Sequence, residues 1–187
     1  MLSRLSAARN LNQLLDVAVH DFVALHGAEM GDLQLVGANG DLVIVAAQGV
    51  NRAFLKVFER VSLDCGSACG QAARDRKPTF IADVRSDPEF ARFRNFAASV
   101  PFRTVLSYPL ARADGGLLGM LSALSSHLFK PTALEMATAK SYCDQLARAI
   151  EEVMRGPELA PWAEGASAAL FAATPEVALP VSSALNA

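Results

Sequence analysis

The sequence predicts an α+β fold in which helices cover both faces of an antiparallel sheet. Two stretches have the character of β-hairpins, with apolar runs of strand length on either side of Asn39-Gly40 and of Asp114-Gly115-Gly116. Amphipathic helices flank this region, and shorter helices with one strand lie between the hairpins. Because each amphipathic element must cover the apolar side of another, a sheet between helical layers is the simplest arrangement.

The two outer helices are predicted from apolar residues that recur every three or four positions. The first covers residues 7–26 and ends at Gly27, and the last covers 131–155 and ends before Gly156-Pro157. Each helix therefore has one apolar stripe to bury. The stripes consist of Leu11, Leu14, Leu15, Ala18, Phe22 and Leu25 in the first helix and of Ala139, Tyr142, Cys143, Leu146, Ala149, Ile150 and Val153 in the last.

The middle of the chain is predicted to contain three short helices and a strand. A helix around residues 52–60 is followed by DCGSACGQAARDRKPTFIADV at 64–84, where Ser67 is suited to cap a helix and TFIADV reads as a strand. A further helix begins at Ser86-Asp87-Pro88. Its aromatic residues recur every three positions, which indicates core packing, at Phe90, Phe93 and Phe96.

Composition and charge argue against several classes of protein. The formal net charge is −2 and no long basic stripe is present, which argues against nucleic acid as the main partner. The N-terminus lacks the features of a signal peptide, and no stretch approaches the roughly 20 apolar residues that span a bilayer. Three cysteines are too few for a disulfide framework. We therefore expect a soluble cytoplasmic domain that does not bind membranes.

The last 32 residues, 156–187, differ from the rest of the chain. They contain no Lys or Arg, three Glu and four Pro, and they show no sustained apolar period. This composition predicts an Ala/Pro-rich, disordered tail or linker after a domain at 1–155. Within it, Ala163–Ala173 has the composition of a short helix, and Trp162 and Phe171 are suited to dock on an apolar surface.

Three stretches of the chain carry a family resemblance. They are GDLQLVGANGDLVIVAAQG, LDCGSACGQAARDRKPTFIADVRSDPEFARFRNFAASVPFRTVLSYPL and DGGLLGMLSALSS. Together they resemble a GAF domain, a ligand-sensing module of signalling proteins, of the subtype found beside bacterial histidine kinases. The resemblance covers about residues 10–155, and it implies a six-stranded antiparallel sheet. The terminal helices are then expected on one face, with a small-molecule pocket under short helices on the other.

The resemblance places the pocket beneath the middle segments, where several residues suit ligand binding. Cys69 is expected to be a small residue of the pocket wall, although a position in the first turn of a helix can also make a thiol reactive. Asp83 follows a strand and can accept hydrogen bonds from a ligand or anchor its own loop. Ser107 and Ser122 are expected to face the pocket floor. The predicted ligand-binding residues are Ser67, Cys69, Asp83, Phe93, Arg94, Val105 and Ser107.

A metal or tetrapyrrole site is not expected. A zinc site needs four ligands, and the residues that could join Cys65 and Cys69 lie on elements that face elsewhere. Bilin-carrying GAF domains attach the chromophore through a cysteine, usually beside a histidine, and the sequence has no such pair. The histidines are also poorly placed for haem. The residues considered as further ligands are His20, His26, His127 and Cys143.

Thiol chemistry is the enzymatic alternative. One GAF subgroup reduces free methionine sulfoxide and has a cysteine where Cys69 stands in GSACG. Those enzymes also need a nucleophilic cysteine before the fourth strand, and the corresponding segment, RFRNFAASVPFR, contains none. Because the attack of that thiol is the first step of the reaction, the chain is not expected to be an enzyme.

The sequence therefore predicts a regulatory module that binds an unidentified small ligand and passes a conformational change along its terminal helices. A dimerisation or scaffold module without a ligand is the alternative. Because 32 residues are too few for an effector domain, the expected partner is a separate protein, such as a histidine kinase of a two-component system. A homodimer through the terminal helices is expected from apolar residues at their outer ends, Leu2, Leu5, Val153 and Met154.

Overall fold

The computed structural model describes residues 2–154 and 159–175. Helices and strands follow one another in the predicted order. The helices are α1 (Leu2–Leu5), α2 (Leu11–Leu25), α3 (Arg52–Phe58), α4 (Ala68–Asp75), α5 (Arg94–Ser99), α6 (Ala133–Val153) and α7 (Leu159–Ala173), and a 3₁₀ turn at Glu89–Phe93 precedes α5. The strands are β1 (Met30–Val36), β2 (Leu42–Gln48), β3 (Arg60–Val61), β4 (Thr79–Ile81), β5 (Thr104–Ala111) and β6 (Leu117–Ser125).

The strands form one antiparallel sheet in the order β3-β2-β1-β6-β5-β4, which confirms the predicted six-stranded sheet. The predicted hairpin turns contain Gly40 and Gly115, whose φ angles of 82° and 84° are accessible to glycine at little cost. β1 and β6 approach closely at Gly119, where a Cβ atom would clash with the carbonyl oxygen of Gln34. In this strand order, β1 is an inner strand of the sheet, between β2 and β6.

The helices α2 and α6 cover one face of the sheet, as predicted for the terminal helices. The α2 side chains Leu14 and Phe22 are completely buried there. The ring of Phe22 meets Tyr108 of β5 edge-on, with 5.7 Å between the ring centroids. The Tyr108 hydroxyl donates a hydrogen bond to the backbone carbonyl of Met136 on α6 at 3.0 Å. These contacts join both helices to the sheet.

Short elements cover the opposite face and enclose an aromatic core. Phe58 of α3 lies at its centre, with ring-centroid distances of 5.1 Å to Phe93 and 5.4 Å to Phe96. Phe54, one turn earlier, meets Phe102 edge-on at 6.0 Å. The predicted aromatic stripe of the middle segment therefore packs in the core, as its spacing indicates. This second helical layer confirms the predicted arrangement of the fold.

The terminal helices begin later than predicted because polar side chains cap them. Asn10 caps α2, and its side chain accepts a hydrogen bond from the Gln13 amide at 2.9 Å. Thr132 and Glu135 form a capping box at the start of α6, so this helix begins at Ala133 rather than at residue 131. The separate helix α1 packs against α2 and α6.

The segment predicted to be a tail or linker contains the packed helix α7, which runs along β2. The predicted helix and its docking residues are confirmed, because Trp162 packs on the core beneath α2 and α6 and Phe171 on the aromatic core. Burial of such residues offsets the loss of chain entropy, so Leu159–Ala173 is helical rather than disordered. Residues 155–158 and 176–187 lie outside the described residues, and the domain boundary at 155 stays a prediction.

Candidate functional site

A small cavity lies between the sheet and the short helices, beneath the segments where the sequence predicts a pocket. Its floor is formed by β1, β5 and β6, and its cover by α3, α4 and the 3₁₀ turn. The volume of the cavity is about 20 Å³, which is room for about one water molecule. The lining residues are Asp32, Gln34, Phe54, Phe58, Ser67, Ala68, Cys69, Phe90, Phe102, Val105, Ser122 and Leu124.

A row of polar side chains crosses the floor of this cavity on three neighbouring strands. Asp32 of β1 lies opposite Ser122 of β6, which in turn lies opposite Ser107 of β5. The hydroxyl oxygens of Ser107 and Ser122 are 2.9 Å apart, and either hydroxyl can donate. All three residues are buried because helical layers cover both faces of the sheet. The row places hydrogen-bonding groups beneath a largely aromatic cover.

Two oxygens of the floor have no hydrogen-bond partner among the described residues, Asp32 Oδ2 and Gln34 Oε1. The Gln34 amide nitrogen donates to the backbone carbonyl of Phe58 at 3.4 Å, which leaves its oxygen unpaired. Burial raises the pKa of Asp32 to about 7, because the carboxylate loses its hydration. A buried acceptor without a partner costs about 1–3 kcal/mol.

The start of α4 places Ser67 and Cys69 at the cavity. Ser67 caps the helix as predicted, and its Oγ accepts a hydrogen bond from the Gly70 amide at 3.1 Å. The sulfur of Cys69 faces the sheet, at 3.3 Å from Ser122 Oγ and 3.6 Å from Ser107 Oγ. Cys69, in the cover of the cavity, therefore contacts the row of polar side chains on the floor.

Cys69 is not an activated thiol, although it lies in the first turn of a helix. The pKa of Cys69 is raised to about 12, because burial and, to a smaller extent, the nearby Asp32 outweigh the lowering by hydrogen bonds from Ser122 and Ser107. The thiol is therefore protonated at neutral pH. Since the thiolate is the nucleophile, these surroundings do not favour the reactivity that a helix N-terminus can give a cysteine.

The seven predicted site residues are divided between the cavity and its surroundings. Ser67, Cys69 and Val105 line the cavity. Ser107 lies beside it, in contact with Cys69 and Ser122. Four of the seven lie outside the lining, Ser107 among them, which corrects the expectation that all seven line one cavity. Whether the seven bind a ligand stays a prediction.

Asp83, Phe93 and Arg94 lie farther from the cavity, in other surroundings. Asp83 forms an ion pair with Arg103 and accepts a hydrogen bond from the Arg85 amide at 3.1 Å, so it anchors the loop after β4. The hydrogen bond from Arg103 lowers the pKa of Asp83. Phe93 packs behind the lining against Phe58, and Arg94 is exposed at the start of α5.

The sequence reasoning missed the two most informative lining residues, Asp32 and Gln34. They alternate along β1 with Leu33 and Leu35, which point to the core beneath α2 and α6. The signal was available as two polar residues in a strand flanked by apolar strands. The aromatic lining residues of α3, Phe54 and Phe58, and Phe102 before β5 were also missed.

The described part of the chain offers no group of three His, Cys, Asp or Glu side chains that could hold a metal ion. Among the helices within residues 2–154 and 159–175, none has the length and apolarity to cross a membrane. The three cysteines, Cys65, Cys69 and Cys143, are all free thiols.

Comparisons with known proteins identify the fold. No curated protein matches the sequence. Solved structures that match include the GAF domain of a phosphoenolpyruvate-protein phosphotransferase from Coxiella burnetii, with 25% identity, a TM-score of 0.68 and coverage of 80% of this chain and 88% of that chain. A free methionine-R-sulfoxide reductase from Neisseria meningitidis in complex with its substrate has 20% identity, a TM-score of 0.67 and coverage of 81% and 84%.

A third solved structure comes from signal transduction. It is a domain assigned to a two-component sensor histidine kinase of Sinorhizobium meliloti, with 14% identity, a TM-score of 0.63 and coverage of 79% of this chain and 95% of that chain. The family model for the GAF domain matches residues 8–151. That match includes the whole sheet, α2 and nearly all of α6. The chain therefore belongs to the GAF domain family.

Proposed function

We propose that this chain is a sensory GAF module that binds a small molecule in the cavity above Asp32. The proposal is supported chiefly by Asp32 Oδ2 and Gln34 Oε1, which are buried in a largely aromatic cavity without hydrogen-bond partners among the described residues. Unpaired buried acceptors destabilise a fold. A ligand that donates hydrogen bonds to both oxygens would remove that cost.

The binding of an organic ligand must open the cover of the cavity. The open space holds about one water, so a larger molecule has to displace side chains of the cover. The seven-residue helix α3 supplies two of these side chains, Phe54 and Phe58. A ligand that binds better to the opened form shifts the population toward that form.

Movement of α3 reaches α7 through direct contacts. The Arg52 guanidinium lies over the ring of Phe171, 5.4 Å from its centroid, and donates to the backbone carbonyl of Ala172 at 3.3 Å. At the other end of α3, the Ser167 hydroxyl donates to Glu59 at 3.1 Å. We propose that α7, in addition to the terminal helices α2 and α6, carries the change to a partner.

The partner that we propose is a separate signalling protein, such as a histidine kinase of a two-component system, and the proposed location is the cytoplasm. The family of the chain and its similarity to a domain of such a kinase support this class of partner. The charge of −2 favours neither nucleic acid nor an anionic membrane surface as the partner.

Ligand binding can be tested by native mass spectrometry. The purified protein is incubated with the small-molecule filtrate of a bacterial lysate and desalted. We expect a population of the folded protein with a constant added mass, which is lost on denaturation.

The matched control is Ala68→Leu, because Ala68 is a buried residue of the cavity wall whose enlargement fills the cavity. We expect this variant to carry no added mass, at a cost of about 1–3 kcal/mol in stability. An added mass that is equal in the wild type and in Ala68→Leu would place the ligand elsewhere.

A dimerisation or scaffold module without a ligand is the second candidate, and the small volume of the cavity favours it. The predicted apolar patch at the helix ends is only partly present. Val153 is 51% exposed, Met154 is half-buried and Leu5 is buried. The side chain of Leu2 lies outside the described residues. The homodimer stays a proposal, and its test requires a substitution at Val153 rather than in the buried part of α6.

We propose that the chain has no methionine sulfoxide reductase activity. The protonated state of Cys69 at neutral pH and the lack of a cysteine between Cys69 and β5 support this proposal. We expect no thioredoxin-dependent turnover of free methionine sulfoxide in an assay coupled to NADPH oxidation. Turnover that disappears in Cys69→Ser would contradict the proposal.

A further inference from the structure

The chemistry of the cavity floor limits what can bind there. Asp32 and Gln34 lie two residues apart on β1, so their Cα atoms are about 7 Å apart and their side chains point to the same face of the sheet. Asp32 Oδ2 and Gln34 Oε1 are both buried and unpartnered among the described residues. Together they present two acceptors to one small molecule.

The walls around these acceptors are aromatic. Phe54, Phe58, Phe90 and Phe102 all line the cavity. The rings of Phe54 and Phe58 lie 5.0 Å apart and those of Phe58 and Phe90 lie 6.3 Å apart, measured between centroids. The face of an aromatic ring carries negative electrostatic potential and attracts cations. The walls therefore favour a ligand with a positive group and an apolar body.

The protein supplies no cation to Asp32 in the described part of the cavity wall. The lining contains no Lys, Arg or His, and its ionisable residues are Asp32 and Cys69. Two arginines of the cover and its flanking loop are engaged elsewhere. Arg92 donates to the Cys65 carbonyl at 3.1 Å and Arg103 pairs with Asp83. A positive charge at this site must therefore come from outside the protein.

On the basis of the proposed function, we infer that the ligand of this cavity is a small organic ammonium ion. Its N–H groups donate to Asp32 and Gln34, and its apolar part packs among the phenylalanines. An anionic ligand would be repelled by the negative charge of the Asp32 carboxylate. A neutral alcohol would leave that charge unpaired in a buried site, which is unfavourable.

The test compares three probes of nearly equal size: propylammonium, 1-propanol and propionate. Binding is followed at pH 8 in methyl-resolved NMR spectra, with Val105 and Leu124 as reporters in the cavity and the 77% exposed Leu134 as a remote reference. We expect propylammonium to shift the two cavity methyl signals and to bind about thirtyfold or more tightly than 1-propanol. Propionate should shift neither signal.

Two conservative variants separate the role of Asp32 from a general effect of charge. Asp32→Asn keeps the shape of the side chain and should weaken propylammonium binding by about thirtyfold or more. Asp16→Asn removes an exposed carboxylate from α2 and should leave binding unchanged. If Asp32→Asn binds propylammonium as tightly as the wild type does, the inference is wrong.

The pH dependence gives a second readout, which a merely structural Asp32 would not produce. Because the pKa of Asp32 is raised to about 7, only about a tenth of the free protein has this carboxylate ionised at pH 6 and about nine tenths at pH 8. Alkylammonium ions stay charged over this range, and Cys69 stays protonated. The affinity should therefore rise about tenfold from pH 6 to pH 8. Constant affinity would overturn the inference.

The outcomes also separate this inference from the proposed function. If the lysate filtrate shifts the Val105 and Leu124 methyl signals but no ammonium ion from methyl- to butylammonium does, the inference is wrong and the sensory function stands. If neither the filtrate nor any of the probes shifts them, both are wrong.

Discussion

Replacing Asp32 with asparagine will make the protein more stable at pH 8 and will leave its stability at pH 4 nearly unchanged. Asp32 is buried at the cavity floor, and its pKa of about 7 in the folded protein compares with 3.8 for an unperturbed Asp. At pH values between these two pKa values, Asp32 is protonated in the folded state and ionised in the unfolded state. Rising pH therefore favours unfolding.

The size of this effect follows from the shift. The pKa of Asp32 is shifted by about three units, and each unit corresponds to about 1.4 kcal/mol. The free energy of unfolding of the wild type should therefore fall by about 4 kcal/mol between pH 4 and pH 8. The loss levels off above about pH 7, where the folded state also releases the proton. Asparagine carries no charge at any of these pH values, so the variant avoids this loss.

Urea unfolding of both proteins at pH 4, 6 and 8 measures this difference. Other groups also titrate, including the buried His26, whose pKa is lowered by burial. They are common to both proteins, so the difference between the two curves isolates Asp32. Asp16→Asn, on the exposed face of α2, should follow the wild type at all three pH values. Parallel curves for the wild type and Asp32→Asn would contradict the assigned environment of Asp32.

Replacing Ile150 with glutamate will unfold the domain, whereas the same change at Val153 will not. Ile150 is completely buried on the inner side of α6, and Val153, about one turn later on the same helix, is 51% exposed. An unpaired buried charge, added to the loss of a core side chain, costs about 5 kcal/mol or more, which is comparable to the total stability of many domains. Circular dichroism should show loss of the cooperative thermal transition in Ile150→Glu.

Val153→Glu is the matched control for this experiment and also tests the proposed dimer. Its thermal transition should resemble that of the wild type, because the charge stays in water. If the wild type sediments as a dimer through the helix ends, Val153→Glu should sediment as a monomer. A cooperative, wild-type-like transition in Ile150→Glu would show that this part of α6 does not lie in the core.

Much of the fold could be predicted because local patterns encode it. The turn glycines Gly40 and Gly115 and the cap at Ser67 are short-range signals, and the structure uses each of them as expected. The apolar stripe of α2 is also local and is buried as predicted. The helix starts were less accurate, because Asn10 and Thr132 were not recognised as caps.

The site was predicted less well because its residues are brought together over long sequence distances. Asp32 in β1 looks like the polar side of a half-exposed strand until α3 and α4 are known to cover that face. Asp83 was expected at the pocket, but its carboxylate instead pairs with Arg103, twenty residues later in the chain. Such pairings depend on the tertiary fold and have no local signature.

The unpaired acceptors would account for a site that both lowers stability and binds the proposed ligand. Asp32 lowers stability at neutral pH in the absence of a ligand, so a variant that removes its charge is expected to gain stability and lose binding. This opposition is typical of residues that are kept for function rather than for folding. It also provides a driving force, because a bound donor offsets the cost of the buried carboxylate.

The central claim is that the cavity above Asp32 binds a small molecule, and methyl-resolved NMR tests it most directly. The small-molecule filtrate of a bacterial lysate is titrated into the wild-type protein, and the Val105 and Leu124 methyl signals are compared with those of Leu134 outside the cavity. Saturable shifts at Val105 and Leu124, with none at Leu134 and none in Ala68→Leu, are the predicted result. Unchanged Val105 and Leu124 signals at saturating filtrate would contradict the claim.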